Sequence, residues 1–261
     1  MYSHHEAAIG RVIARFRDEP GVLAILLAGS LAHGTATGNS DVDIMIVVSD
    51  DELAERRAAN TTAFADVELA NYANGYIDAK YVSPGYIADV ALRGSEPSRF
   101  AFKGVQVLFS RIDGLEGRLG AASRYPVEVR DDRIARFAAQ LEAWTWMSGE
   151  ASKKDDPYLL ATSVSRVALF GGRMLLAHNH MLYPFHKWFL RSLEAAPDKP
   201  EGIVELIRSA TAAPSAEAAT LIRDAVLGYR QWQRGETDWP NHFMHDTEQS
   251  WMRDAAAVED L

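Results

Sequence analysis

The stretch LLAGSLAHGTATGNSDVDIMIVV, residues 26–48, contains the most informative pattern of this chain. An apolar run gives way to small and polar residues, and a second apolar run then begins with Asp41 and Asp43. Short apolar runs are typical of buried strands. An ionised carboxylate beside a buried strand costs several kcal/mol unless a cation or a hydrogen-bond donor compensates it. If they are buried, the two aspartates therefore require a cation or a hydrogen-bond donor as partner.

The spacing of the aspartates points to a metal. Asp41 and Asp43 are two residues apart, so both side chains lie on one face of the predicted strand. Neighbouring carboxylates repel each other unless a divalent cation lies between them. Mg²⁺ prefers hard oxygen ligands and combines one or two protein carboxylates with water and substrate phosphates. The pair is compatible with a magnesium site, but taken alone it favours two solvent-facing aspartates at a strand edge.

Small polar residues precede the acidic pair. Gly29 and Ser30 end the first apolar run, and Ser40 stands directly before Asp41. Glycine lets the backbone approach a ligand closely, and a helix that starts at such a turn presents free N–H groups to an anion. With the two serine hydroxyls added, Gly29, Ser30 and Ser40 are predicted to bind phosphates opposite the magnesium site.

The segment GSLAHGTATGNSDVD resembles the G-S-x10-D-x-D signature of the DNA polymerase β-like nucleotidyltransferase superfamily. Within it, the chain resembles the bacterial antibiotic nucleotidyltransferases of aminoglycoside and lincosamide type, which carry a C-terminal helical domain. The resemblance implies a nucleotidyltransferase of EC 2.7.7 type. It implies that Ser30 and Ser40 hold the triphosphate, while Asp41 and Asp43 bind one or two Mg²⁺ ions.

Members of this family place a third carboxylate on a later strand. Two strands, 67–72 and 75–82, are predicted here as a hairpin joined through Asn74-Gly75. Asp78 in the second strand is preferred as metal ligand and general base, because it interrupts the more apolar of the two. Glu68 in the first strand is the alternative.

The chain changes character near residue 126. Before it, short strands alternate with helices; after it, segments with helical spacing follow one another. The predicted fold class is α+β, with a small mixed β-sheet nucleotidyltransferase domain with flanking helices at 1–126 and an all-α helical bundle, the predicted substrate-binding domain, at 127–261. The further predicted strands are 22–28, 42–48 and 104–111, and the predicted helices of the second part are 132–149, 158–179, 184–193, 202–211 and 215–234.

One lysine of the second part is a candidate phosphate ligand. The segment LYPFHKWF, residues 182–189, has Pro184 at the permitted first turn of a predicted helix. Lys187 follows among aromatic residues, from where it could reach a phosphate. Similar segments occur in the helical domains of the bacterial branch. The alternative is a lysine whose stem simply packs on Trp188.

Composition restricts the partners. The chain has 261 residues, a net charge of -9 and no cysteine. The acidic excess argues against a nucleic-acid surface, which needs clustered Lys and Arg. Disulfides and thiolate zinc sites are excluded. The first residues favour an amphipathic helix over a secretory signal, so a cytoplasmic protein without a membrane partner is expected.

The expected reaction transfers a nucleoside monophosphate, AMP from ATP, to a hydroxyl of a small molecule such as an aminoglycoside and releases pyrophosphate. Such an activity would confer antibiotic resistance. Two alternatives remain at this point. One is a nucleotidyltransferase-like regulatory module or antitoxin that modifies a protein or RNA partner. The other is an RNase of the HEPN type, suggested by the R-x4-H spacing of Arg173 and His178.

Overall fold

The computed structural model describes residues 1–232, 239–252, 257–259 and 261. The chain divides into two compact units, Met1–Gly94 with Ser98–Arg124 and Ser95–Pro97 with Tyr125–Leu261. The first contains the sheet and the second is helical, which confirms the predicted fold class.

The first unit is built on a mixed five-stranded sheet in the order β3-β4-β2-β1-β5. Strands β2 and β4 are parallel, and the other three pairs are antiparallel. The strands are β1 (Ala24–Leu27), β2 (Val42–Val47), β3 (Ala63–Asp66), β4 (Ile77–Val82) and β5 (Gln106–Ser110).

Helices cover both faces of this sheet. The helices in this part of the chain are α1 (Ser3–Phe16), α2 (Gly29–Ala32), α3 (Asp50–Ala58), α4 (Val67–Ala70), α5 (Pro84–Arg93), α6 (Glu96–Phe100) and α7 (Leu115–Ala122), and the boundary between the two units falls within α6. The apolar stripe of α1 packs on one face of the sheet, and α5 and α7 pack on the other. Ser83 caps α5 by accepting a hydrogen bond from the Tyr86 N–H, and Pro84 occupies the first helical position, where its missing N–H costs nothing.

Successive side chains of β2 point to opposite faces of the sheet. Val42, Ile44 and Ile46 belong to the core beneath α1, whereas Met45 and Val47 belong to the core beneath α5 and α7. Asp43 therefore lies on the α5/α7 side, at the beginning of the strand. Burying both faces explains why β2 is apolar almost throughout and why a carboxylate stands only at its start.

The predicted strand 67–72 is wrong. The antiparallel partner of β4 is β3, which ends at Asp66, and the next residues form the short helix α4. The Asp66 side chain accepts a hydrogen bond from the Leu69 N–H at 2.7 Å and so caps α4. A segment as short as VELANY satisfies a strand pattern and a single helical turn equally well, and this cap selects the turn.

The second unit consists of helices α8 (Arg130–Lys153), α9 (Pro157–His178), α10 (Phe189–Glu194), α11 (Ile203–Ala212), α12 (Ala216–Gly228) and α13 (Trp239–Asp246), with 3-10 turns at Val127–Val129, His186–Trp188 and Ser250–Met252. The helix predicted at 184–193 begins later, at Phe189, because Phe185 has φ of 67°, which interrupts right-handed helix. The helix predicted at 215–234 ends at Gly228; residues 233 and 234 lie outside the described residues.

A buried ion cluster holds the second unit together. The Glu96 carboxylate accepts a hydrogen bond from Arg133 at 2.9 Å, lies 3.2 Å from the Arg173 guanidinium, and accepts from the Tyr183 N–H at 2.6 Å. Glu96 explains why Ser95–Pro97 belongs to this unit and not to the first, where the sequence analysis had placed it. Removing one partner from such a cluster would leave an uncompensated buried charge.

Arg173 and His178 do not form a common exposed site. The Arg173 side chain is fully buried in the Glu96 cluster, and its guanidinium lies 4.4 Å from the Phe137 ring centroid. His178, at the end of α9, forms a hydrogen bond between its Nε2 and the Asp198 carboxylate. The R-x4-H spacing is thus explained by packing.

Helix α9 is also the one helix of the described residues that is long and apolar enough to cross a membrane. Its most apolar window is 67% buried inside the protein, and α8 and α12 pack against it. A core helix passes the same length and composition test.

Candidate active site

Three carboxylates meet where β2 and β4 begin. The parallel register places Asp43 directly opposite Asp78, and Asp41 precedes β2 by one residue. One ligand oxygen from each of Asp41, Asp43 and Asp78 lies within 4.8 Å of the other two. Asp41 and Asp43 are half-buried, whereas Asp78 is exposed. The structure thus brings together the three predicted metal ligands.

This donor set fits a hard divalent cation. Three carboxylates at such distances repel one another, and a cation between them removes the repulsion. Oxygen-only ligands favour Mg²⁺ or a similar ion over the softer transition metals. The exposed position of Asp78 leaves one side of the group open to a substrate.

Gly29 permits the close approach of β1 and the acidic group. The Ala28 N–H donates to the Asp43 carbonyl oxygen at 2.9 Å, which fixes the end of β1 beside the start of β2. Gly29 then turns the chain with φ of +59°, and a Cβ atom there would lie 1.7 Å from Asp43 Oδ2. Only glycine fits both the left-handed backbone and the space left by the carboxylate.

Ser30 presents a hydroxyl without a partner. Its Oγ is buried and makes no hydrogen bond within the described part of the chain. The Ser30 carbonyl oxygen is engaged, because it accepts from the Thr35 N–H at 2.9 Å. Leaving a buried hydroxyl unsatisfied costs roughly 1–3 kcal/mol, and an oxygen of a bound ligand would recover that loss.

Ser40 is held differently. Its hydroxyl accepts a hydrogen bond from the Thr37 N–H at 2.9 Å and so closes the turn before Asp41. Its carbonyl oxygen accepts from the Tyr72 hydroxyl at 2.7 Å and lies 3.0 Å from His5 Nε2. These bonds give Ser40 a role in loop structure, and its contact with phosphate stays a prediction.

Sequence reasoning missed two residues beside the carboxylates. Tyr76 lies beside Asp41, and the interaction of its hydroxyl with that carboxylate raises the pKa of Tyr76. Lys80 is the next residue after Asp78 on the same face of β4, and its ammonium group is attracted to the Asp43 and Asp78 carboxylates. Lys80 as a whole residue is exposed, but the protein around its ammonium group partly excludes water and so lowers the pKa of Lys80. The Asp43 and Asp78 carboxylates act in the opposite direction. Because side chains alternate between the two faces of a strand, the sequence could have predicted that Lys80 lies on the same face as Asp78.

Two other predicted site residues belong to other elements of the fold, α4 and the turn His186–Trp188. Glu68 is exposed on α4 and is not among the three grouped carboxylates. Lys187 is exposed in the turn His186–Trp188 of the second unit, with its ammonium 5.8 Å from the Trp188 ring centroid. Its contact with phosphate stays a prediction.

Comparison with known proteins agrees with this geometry. Residues 9–111, which include the three carboxylates, match the family described as nucleotidyltransferase domain. The chain is also similar to the crystal structure of a nucleotidyltransferase-like protein from Exiguobacterium sibiricum 255-15, with a TM-score of 0.50 and 12% identity over 96% of this chain and 80% of that one. At that identity the likeness is one of fold. No curated protein matches the chain in sequence.

The contact between Gly29 and Asp43 gives a first prediction. We expect Gly29→Ala to lower kcat/KM for nucleotidyl transfer by roughly 100-fold or more, because the new methyl must displace the Asp43 carboxylate and small misplacements at a reacting centre have such effects. Gly34→Ala is the matched control, since Gly34 also has positive φ, +68°, but its Cβ would meet nothing within 4 Å.

Both variants should lose about 1–2 kcal/mol of folding stability from left-handed alanine, measured by thermal unfolding. Only Gly29→Ala should lose activity beyond what that loss of stability explains. Equal activity of the two variants would contradict this account of Gly29.

Proposed function

We propose that this chain, which carries a nucleotidyltransferase domain at residues 9–111, transfers a nucleoside monophosphate from a nucleoside triphosphate to a hydroxyl of a small molecule. ATP is the proposed donor, and an aminoglycoside-like compound is the proposed acceptor. The observation that carries the proposal is the convergence of Asp41, Asp43 and Asp78 within a domain of this family.

The reaction would proceed by in-line displacement at the α-phosphorus. The acceptor oxygen forms a new bond to phosphorus, the bond from phosphorus to the α,β-bridging oxygen breaks, and pyrophosphate leaves with that bonding pair. The hydroxyl proton must be removed as the new bond forms. Asp78 is the proposed base, because it is the exposed member of the acidic group and can be approached from solvent.

Asp41, Asp43 and Asp78 would hold one or two Mg²⁺ ions. Such an ion, when bound, neutralises charge on the triphosphate and polarises the α-phosphate. The chain itself contributes the Ser30 hydroxyl as a donor to phosphate. Lys80 adds a cation near the same carboxylates, where it would offset negative charge as pyrophosphate departs.

The acceptor is proposed from charge. The chain carries a net charge of -9, so an amine-bearing, hydroxylated compound suits it better than an anionic one. The helical second unit would select this acceptor, with Lys187 as a proposed additional phosphate ligand. Antibiotic resistance and a cytoplasmic location are parts of the same proposal.

The direct test incubates the protein with Mg²⁺, each labelled nucleoside triphosphate in turn and a panel of aminoglycosides, lincosamides, tRNA and proteins. The expected result is label from ATP on a small hydroxylated compound, together with pyrophosphate. Label found only on protein or tRNA would replace the small-molecule acceptor by the regulatory alternative. RNA cleavage without transfer would refute the proposal.

The metal site gives a second prediction. We expect Asp41→Asn and Asp43→Asn each to abolish transfer while the folded protein keeps its thermal stability or gains slightly, since each change removes one of several mutually repelling carboxylates. Glu68→Gln is the control, because it makes the same kind of change at an exposed position outside the group. It should retain wild-type turnover.

Asp78 gives a third prediction. As the base, Asp78→Asn should bind Mg²⁺ and nucleotide almost normally while kcat falls by roughly 10²- to 10⁴-fold, the usual contribution of general base catalysis. If Asp78 serves chiefly as a metal ligand, Mg²⁺ affinity should fall as well, and added Mg²⁺ should restore part of the rate. Normal turnover would exclude both roles.

Ser30 gives a fourth prediction. Ser30→Ala should weaken nucleotide binding by roughly 1.5–3 kcal/mol, the value of one hydrogen bond to a charged group, with a smaller change in kcat. Equilibrium binding of ATP measures this directly. Lys187→Ala serves as a comparison, since a phosphate contact predicts weaker ATP binding and a purely structural lysine predicts none. An unchanged dissociation constant for Ser30→Ala would place the triphosphate elsewhere.

A further inference from the structure

We propose that His5 and Tyr72 are positioning residues for Asp41, acting through the carbonyl oxygen of Ser40. This inference rests on the proposed function, because it assumes that Asp41 binds the catalytic metal. It adds two residues that lie far from the G-S-x10-D-x-D segment in sequence, one on α1 and one just after α4.

Both residues converge on one main-chain oxygen. The Tyr72 hydroxyl donates to the Ser40 carbonyl oxygen at 2.7 Å, and His5 Nε2 lies 3.0 Å from the same atom. A carbonyl oxygen has two lone pairs, so it can accept both hydrogen bonds. The peptide group between Ser40 and Asp41 is thereby held by two side chains that come from distant parts of the sequence.

Asp41 depends on such support because it lies outside the sheet. It precedes β2, and the first bond to the neighbouring strand is made by the next residue, whose N–H donates to the Tyr76 carbonyl oxygen at 3.1 Å. On the other side, the loop contains Gly34 and Gly38, which do little to restrict it. The Ser40 carbonyl is therefore the last anchored point before the Asp41 side chain.

The donors themselves are rigidly held. His5 is fully buried, and its Nδ1 has no hydrogen-bond partner among the described residues, so Nε2 carries the polar contact of the ring. The His5 and Tyr72 rings pack edge to face with centroids 5.3 Å apart, and His4 lies against both. His4 adds a contact from Nε2 to the Gly38 carbonyl oxygen at 3.0 Å.

Helix α1 is in turn attached to α4. Arg11 Nε donates to the Leu69 carbonyl oxygen at 2.8 Å, and its Nη2 donates to the Ala70 carbonyl oxygen. Tyr72 follows two residues later. The two donors thus belong to a single packed layer, and that layer presents them together to Ser40.

The test uses electron paramagnetic resonance to measure Mn²⁺ binding. Steady-state kinetics of nucleotidyl transfer are measured for the same variants. Tyr72→Phe removes one hydroxyl and keeps the ring. His5→Leu removes the donor, and His5→Gln restores an N–H donor at a similar reach. We expect Tyr72→Phe and His5→Leu each to weaken Mn²⁺ binding by about 2- to 12-fold, the range for one neutral hydrogen bond, and His5→Gln to recover part of the loss.

The kinetic signature should follow the metal. The Mn²⁺ concentration that gives half-maximal transfer should rise in Tyr72→Phe, while KM for the acceptor stays unchanged. In an Asp41→Asn background, Tyr72→Phe should cause no further loss of Mn²⁺ affinity, because its effect is transmitted through Asp41. Tyr81→Phe is the matched control on β4. It removes the hydroxyl of a half-buried tyrosine on the sheet face opposite Asp78 and should leave Mn²⁺ binding unchanged.

Wild-type Mn²⁺ affinity in both Tyr72→Phe and His5→Leu would overturn the inference, even if either variant melts at a lower temperature. That outcome differs from failure of the proposed function, in which the wild-type protein itself binds no Mn²⁺ or Asp41→Asn binds it as well as wild type does. An equal loss in Tyr72→Phe on the wild-type and Asp41→Asn backgrounds would also refute transmission through Asp41.

Discussion

The parallel pairing of β2 with β4 is the constraint on which the site depends. Its register sets Asp43 opposite Asp78, and a shift by one residue would turn one of the two carboxylates to the other face of the sheet. That shift would also move the apolar side chains of β2 out of their cores, since both faces of the strand are buried. The hydrophobic core therefore fixes the acidic group as firmly as it fixes the strand.

Such a group is electrostatically unfavourable in the protein alone, and the fold offsets this locally. The Tyr76 hydroxyl interacts with Asp41, and Lys80 adds a positive charge close to Asp43 and Asp78. Neither residue can remove the mutual repulsion of three carboxylates within 4.8 Å. The residual repulsion would favour binding of a cation, so the affinity for a cation and the geometry of the acidic group have the same origin.

Local patterns predicted the parts of this site that lie close together in sequence. Gly29, Asp41 and Asp43 are recognisable because a glycine at a strand end and a period of two have direct geometric meaning. Glu68 was placed on a strand because its segment is too short to distinguish a strand from one helical turn. The cap from Asp66 that settles the difference depends on where β3 ends, and that end is set by pairing with β4.

Contacts between distant segments could not be predicted in this way. Nothing in the sequence around His5 indicates that its ring meets Ser40, because the contact requires α1 to pack on the sheet. The same holds for Tyr72, which follows α4 in the chain and also contacts Ser40. The same reasoning explains Arg173, whose spacing to His178 suggested chemistry. Its position is determined by Glu96, a residue far away in the chain, and a fully buried guanidinium with that partner serves stability. The spacing of two residues in the sequence thus predicts a shared functional site only where both residues lie in one short segment, as Asp41 and Asp43 do.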